Sequence, residues 1–546
     1  MTGTPPRLYR RALLRCPGPA PAGHDALATI GDQIVAVGSE AECRASLPTD
    51  AEVVDLAGAT LAPGFIDAHL HPLVMCVFEQ QLVLDEVASI ADVLDAVADQ
   101  ARRGPSDRAV IGFQLDNELL AERRLPTADE LEVAGHGRPV ILLRRDGHHA
   151  VASTGALETV GLAVPGREAP GGAVERGPDG RPTGLVRESA VGPLMGLMAE
   201  PTFEELEAGL DAWRDRLLRQ GVTAISAICQ TTDEGPGGPA AALESVGWSI
   251  LAERVPFDVQ TILIAPDLDA VRAVRTGPLH RPERGRRADA VKLFLDGTLG
   301  GRTACMHQPF TDQPDARGIA ALTPAEARRR ITEAHLEGLQ VCIHAIGDRA
   351  NRQAADLLGE VLAQHPGPHR HRVEHASVLD DVTIDRFAEL GIGAVVQPIN
   401  LRSERHWLDR RLGPDRLEQT YPFRRLLDAG VTVAGSSDAP IESTDVLAAM
   451  AACTHRAGLA PAQEISGAEA LTLYTTGGSA VRQTENRLGR LAPGQRADLV
   501  VLDGDPATAP AHAVADIAVL ATVIGGVQHH GTNLTSRTPS TRGDAS

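Results

Sequence analysis

The sequence predicts an α/β protein: a (β/α)8 TIM barrel, a small β-sandwich domain built from both chain ends, and a large insertion after barrel strand 1. Three observations point there. Short apolar runs alternate with amphipathic stretches through the middle of the chain. Side chains able to ligate metals fall at the ends of those runs. Strand-like segments at the two chain ends stand outside the alternation.

At 546 residues the chain exceeds the size at which one core keeps growing, so more than one domain is expected. Residues 1–62 are assigned to the N-terminal part of the sandwich, where Asp25–Val37 reads as two strands around a Gly31-Asp32 turn. Residues 63–480 are assigned to the barrel. Its strands are expected at Gly64–His71, Val222–Ile228, Val259–Ala265, Ala290–Leu295, Leu339–His344, His371–His375, Gly393–Pro398 and Val431–Ser436. Helical patterns lie between many of them, as at Pro324–Glu337 and Ala350–Ala363. Residues 72–215 separate the first two strands and are far too long for an ordinary connection. They read as an insertion covering the barrel mouth, with strands at Ala109–Leu115 and Pro139–Leu143 and a Gly/Pro-rich loop from Pro165 to Gly184. Residues 481–530 return to the sandwich through Leu499–Leu502 and Ala518–Ile524. The Ser/Thr/Arg/Gly-rich tail, 531–546, is expected to be disordered.

The net charge of −20 argues against nucleic acid or an anionic membrane as partner. No stretch is long and apolar enough to span a membrane. The seven cysteines are scattered, odd in number and never spaced C-x-x-C, which reads as a reducing, cytoplasmic compartment. Arg7, Arg10, Arg11 and Arg15 are followed by no apolar run, so no signal peptide is expected.

Lys and Arg together number 52, and Lys292 is the only lysine. An exposed ion pair would accept either residue. Arginine stays protonated in proteins, whereas a buried lysine amine can lose its proton. A neutral amine can add to carbon dioxide as a carbamate or to a carbonyl as a Schiff base.

Functional groups of a (β/α)8 barrel sit at the carboxyl ends of its strands. The first candidate strand ends in Asp67-Ala68-His69-Leu70-His71, and residues two apart in a strand share a face, so His69 and His71 can converge on one ion. The fourth carries Lys292, the fifth ends in His344, the sixth in Glu374-His375, and the eighth runs into Ser436-Ser437-Asp438. One His-x-His is common by chance. Four histidines, an aspartate and the sole lysine at the strand ends of one barrel pattern are a much stronger signal for metal chemistry.

The segment Leu61–His71 resembles the signature opening of the amidohydrolase superfamily, and the order His-x-His, Lys, His, His, Asp is similar to its two-metal subtype. Val291–Arg302, His344–Ala350, Arg372–Ala376, Gly435–Pro440 and the inserted Arg145–His149 resemble the amidohydrolase-3 family, which includes N-substituted formamide deformylases. Gly489–Val500 resembles that family's return into its small β domain. The resemblance implies a ligand set. His69, His71 and Asp438 would hold one divalent ion, His344 and His375 another, and a carbamate formed from carbon dioxide on Lys292 would bridge them. Zinc is the expected metal. It further implies hydrolysis of a non-peptide amide bond in a small N-acyl or N-formyl compound by a metal-activated hydroxide, with Asp438 as the catalytic proton carrier. A homodimer fits the family's habits.

His148 in the insertion, Arg302 beyond strand four and Gln397 at the end of strand seven are candidate substrate contacts. Asp67 is expected to support the ligands. The cluster His365, His369 and His371 precedes strand six, at the opposite end of the barrel, and reads as solvated. Two other readings stay open: a cyclic-amide hydrolase or deaminase of the same superfamily, and a catalytically inactive scaffold. Lys292 argues against a one-metal deaminase, and the complete ligand set argues against a scaffold.

Overall fold

The computed structural model describes residues 4–15, 23–85, 87–105, 107–145, 149–167, 172–187, 190–232 and 241–531. It divides into two compact units, one of residues Met1–Pro72 with Arg214–Ser546, the other of Leu73–Trp213. Among the described residues no helix is long and apolar enough to cross a membrane.

The first unit is built on eight parallel strands: β1 (Phe65–Leu70), β2 (Val222–Gln230), β3 (Asp258–Ile264), β4 (Arg286–Phe294), β5 (Gln340–Ala345), β6 (Arg372–His375), β7 (Gly393–Val396) and β8 (Val433–Gly435), paired in chain order. The ring is nearly closed beyond β8. There the Asp438 N–H donates to the His69 carbonyl and the His71 N–H to the Ala439 carbonyl, both at 2.8 Å. Parallel strands are covered on both faces, and every residue of β2 and β3 is buried. That explains why these strands read as near-continuous apolar runs. β4 begins at Arg286, earlier than its apolar run. Arg287 and Asp289 alternate with buried Ala288 and Ala290 there, so polar side chains at the base of the barrel hide the strand from a hydropathy reading.

Helices between the strands carry local signals. Pro324–Leu336 starts with proline in its first turn and the Thr323 hydroxyl accepting the Glu326 N–H. Asp381–Leu390 is capped by Asp380 and ends at Gly391, whose φ of 66° is left-handed. Gly435 in β8 lies against the Tyr474 ring, where a Cβ would come within 2.4 Å of the ring carbon bearing the hydroxyl. This close approach fixes the strand that leads into Asp438.

Two further sheets belong to this unit. One has four strands in the order Gln33–Gly38, Ala26–Ile30, Arg7–Arg10, Glu52–Asp55. The other orders Leu13–Leu14, Thr60–Pro63, Leu499–Leu502, Val519–Ile524 and Val527–Gly531, so it draws on both ends of the sequence. Tyr9, Leu27 and Ile34 from one sheet and Leu61, Val501 and Val523 from the other form one apolar core. Burying each such side chain stabilises by about 1.5–3 kcal/mol.

The second unit contains a six-stranded sheet in the order Ala173–Arg176, Pro182–Arg187, His149–Ala152, Val140–Arg144, Val110–Leu115, Leu82–Val83. The Pro165–Gly184 segment is thus not a plain loop. It contributes an antiparallel pair, Ala173–Arg176 with Pro182–Arg187, turned at Gly180 with φ 78°. Residues 532–546 and His148 lie outside the described residues.

The base of the barrel corrects one expectation. His371 is buried rather than solvated. The Val341 N–H donates to its Nδ1 at 3.1 Å, so its proton sits on Nε2, 2.9 Å from His335 Nδ1. The His335 Nε2–H in turn donates to the His365 carbonyl at 2.8 Å. His371 is neutral in this relay, because a second proton on it would face the Val341 N–H.

Burial, then the neighbouring His369 and His335, push His371 from 6.5 down to about 3. As pH falls, the unfolded chain is protonated first. The stability tied to this group is therefore complete above pH about 6.5 and is lost progressively toward about 3. In thermal melts across that window, His371→Gln is expected to show a shallower acid decline than the unaltered protein. Equal slopes would mean that other groups govern the loss.

Candidate active site

The carboxyl ends of the strands gather the predicted residues. Lys292 on β4 is buried, with Nζ 3.0 Å from Nε2 of His69 on β1. The Asp438 Oδ1 lies 3.1 Å from His69 Nε2 and 3.3 Å from His71 Nε2. The His344 ring stands edge-on to that of His375 at 4.5 Å between centroids. His69, His375 and Asp438 each offer a ligand atom, and these atoms lie within 4.8 Å of one another.

Hydrogen bonds behind the rings decide which nitrogen is free. His69 Nδ1 is 2.6 Å from Glu374 Oε2, and the other oxygen of Glu374 accepts from Arg372 Nε at 2.6 Å. Arg372 is anchored in turn on the Ala68 carbonyl. His375 Nδ1 is 2.9 Å from Gln397 Oε1, and the Gln397 amide donates to the Ser436 hydroxyl. His344 Nε2 is 3.2 Å from the Gly297 carbonyl, leaving Nδ1 as its lone-pair side. The His375 Nε2 is buried with no hydrogen-bond partner among the described residues. An orphaned imidazole nitrogen among carboxylate and imidazole neighbours is what a metal ligand requires, so the donor set fits a divalent ion.

Electrostatics agree. Burial, then the Lys292 charge, push His344 down to about 3. Burial lowers His71 as well, and His375 far below its ordinary value. These rings are neutral at pH 7, the form that binds metals. His69 moves the other way: burial and Lys292 oppose its charged form, and Asp438 and Glu374 outweigh them. Burial works against ionised Asp438, yet His69 and His71 hold it well below the usual carboxylate range. Burial also pushes Lys292 toward its neutral amine.

His375 and Asp438 adopt left-handed backbone, with φ of 74° and 58°. Such conformations cost of order 1–3 kcal/mol for residues other than glycine and persist where their surroundings over-determine them.

Other expectations find different surroundings. Gln397, expected to contact substrate, has both polar atoms committed to His375 and Ser436 and is fully buried. Arg302 forms a two-point pair with Asp312, at 3.1 and 2.7 Å. Asp67 holds the backbone, accepting the N–H of His69 and of Ser437 at 3.1 Å each. Sequence reasoning missed Asp296. Its carboxylate accepts the N–H of Cys305, Ile346 and Gly347, tying the loop after β4 to the turn after β5. The Asp-Gly step directly after a barrel strand was the available signal.

A parallel barrel carrying imidazoles, a carboxylate and a buried amine at its carboxyl ends defines a metal-dependent hydrolase. The chain is 29% identical over 468 residues to the putative amidohydrolase YtcJ of Bacillus subtilis, covering 84% of this chain and 86% of that one. It is 27% identical over 515 residues to the N-substituted formamide deformylase of Arthrobacter pascens, covering 91% of this chain and 93% of that one. The solved structure of an uncharacterized metal-dependent hydrolase from Pyrococcus furiosus superposes with a TM-score of 0.72 at 27% identity, covering 92% of this chain and all of that one. The amidohydrolase family profile Amidohydro_3 matches residues 52–530, and the chain belongs to that family.

Losing the partner behind a ligating histidine typically costs 10–100-fold in metal affinity. Glu374→Gln and Gln397→Leu are each expected to lower metal retention against a chelator by about that factor. Metal content after competition dialysis measures it. Unchanged retention in both folded variants would detach these residues from the site.

Proposed function

We propose that the protein hydrolyses the amide bond of a small N-acyl or N-formyl compound at a two-metal centre. His69, His71 and Asp438 would hold one ion, His344 and His375 the other, and a carbamate on Lys292 would supply an anionic ligand shared by the two. Zinc suits this set of imidazole and carboxylate donors. The observation that carries the reading is Lys292. The only lysine of the chain is buried inside the barrel, with its amine 3.0 Å from His69 Nε2. Arginine in its place could never become neutral. The neutral amine adds to carbon dioxide: a nitrogen–carbon bond forms, one amine proton leaves to solvent, and the carbamate carries one negative charge; counted from the ammonium form, two protons are released.

When bound, the ions polarise the amide carbonyl and lower the pKa of an attacking water. Asp438 takes a proton from that water and delivers it to the departing nitrogen, because an amine leaves poorly unless protonated. The water oxygen bonds to the carbonyl carbon, the carbon–nitrogen bond breaks, and an acid and an amine result. Glu374 and Gln397 keep the His69 and His375 rings in the ligating tautomer. The likeness to an N-substituted formamide deformylase supports the amide class. In the same reading the two sheets formed by the chain ends constitute a β-sandwich domain.

Lys292→Arg is expected to reduce hydrolysis by more than the roughly 100-fold that losing an outer partner costs, and to lower metal content below two ions per chain. Assay by mass spectrometry uses N-formyl amines, N-acyl amines, cyclic amides and amino-substituted heterocycles. Release of an acid and an amine supports the proposal. Ring opening or exchange of an amino group for oxygen overturns the substrate class. Full activity in Lys292→Arg overturns the bridging role.

A further inference from the structure

The amino-terminal end of the barrel holds a second charged cluster, away from the strand ends that carry the histidines. Arg482 follows the short helix Gly478–Val481 and is completely buried. Its Nη2 donates to the carbonyls of Ile225 and Asp258 and to Asp258 Oδ1 at 2.7 Å. Asp258 also pairs with Arg487 through its other oxygen. Arg287, the second residue of β4, donates from Nη1 to the Arg482 carbonyl at 2.7 Å, so the two arginines are neighbours. Its remaining carboxylate contact is Asp289. Three guanidinium groups, those of Arg287, Arg482 and Arg487, thus share two carboxylates.

Among the described residues, four buried nitrogens of this cluster have no hydrogen-bond partner: Nε and Nη2 of Arg287, and Nε and Nη1 of Arg482. A guanidinium offers only donors, so each of these atoms can be satisfied only by an acceptor. The nearby amides are engaged with one another: Gln260 donates to Asp289 and to Gln340, and Gln340 donates to the Val481 carbonyl. Burial and the Arg287 charge both work against the ionised form of Arg482. One negative charge beside the pair would satisfy the unmet donors and offset the mutual repulsion of Arg287 and Arg482.

We propose that Arg287 and Arg482 bind a small monovalent anion of the chloride class at the base of the barrel. The anion is structural. It holds Arg482 against Ile225 of β2 and Asp258 of β3, at the end of the barrel where side chains serve stability.

The metal-loaded full chain is melted in sodium chloride and in sodium gluconate at matched ionic strength. A saturable rise of roughly 1–3 °C specific to chloride is expected. It should vanish in Arg482→Gln and in Arg287→Gln, and the second variant, whose side chain is less buried than that of Arg482, serves if the first fails to fold. Crystals grown in sodium bromide should show anomalous scattering between the two side chains. Equal melting in both salts, a chloride rise that survives in Arg287→Gln, or ordered water without bromide at the four nitrogens would each overturn the proposal.

Discussion

Charge inside a dry barrel must be answered by charge, and the centre of this molecule is arranged around that requirement. Lys292, Glu374, Arg372 and Asp438 all lie within the barrel, with Arg372 and Glu374 fully excluded from solvent. A buried ion is costly unless paired and hydrogen-bonded. The result is a continuous polar chain: Arg372 grips Glu374, Glu374 orients His69, and His69 meets Lys292 and Asp438. Removing any link would leave its neighbour as an uncompensated buried charge. The histidine rings are therefore as fixed as the apolar core around them.

The backbone shows the same over-determination. Asp438 sits in left-handed conformation, yet its N–H is held by the His69 carbonyl, and the Ser437 N–H by Asp67. First and last strands of the barrel thus close on each other through residues of the candidate site. Asp296 does for the β4 and β5 ends what Asp67 does for β1 and β8. Oδ1 of Asp67 and both oxygens of Asp296 are engaged with backbone N–H groups.

The barrel was legible because parallel strands buried on both faces appear as apolar runs, and all eight runs became strands. Where side chains alternate in polarity, as at Arg287 and Asp289, the run is shorter than the strand. The Ala173–Arg187 hairpin was hidden by the glycines and prolines that make its turn. At the site, histidines at strand ends announce themselves by residue type. Glu374 could be seen only as another potential ligand, because its role depends on His69, 305 residues away in sequence. Gln397 drew attention as a polar tip at a strand end. Whether such a tip faces outward or backs a neighbouring ring is decided by packing across β6, β7 and β8, which no local pattern encodes. His371 was misjudged for a related reason: a polar cluster at the base of a barrel reads as surface until the helix that covers it is placed.

The five-stranded sheet has a temporal side. Thr60–Pro63 runs directly into β1, and its antiparallel partner is Leu499–Leu502. Synthesis at about 5–20 residues per second separates these two strands by tens of seconds. Through most of translation the segment leading into His69 and His71 therefore carries an open hydrogen-bonding edge. A somewhat shorter interval passes before β8, at Val433–Gly435, exists to close on β1. The earliest part of the barrel to be made is among the last to be completed, and until then His69 and His71 belong to an unfinished wall.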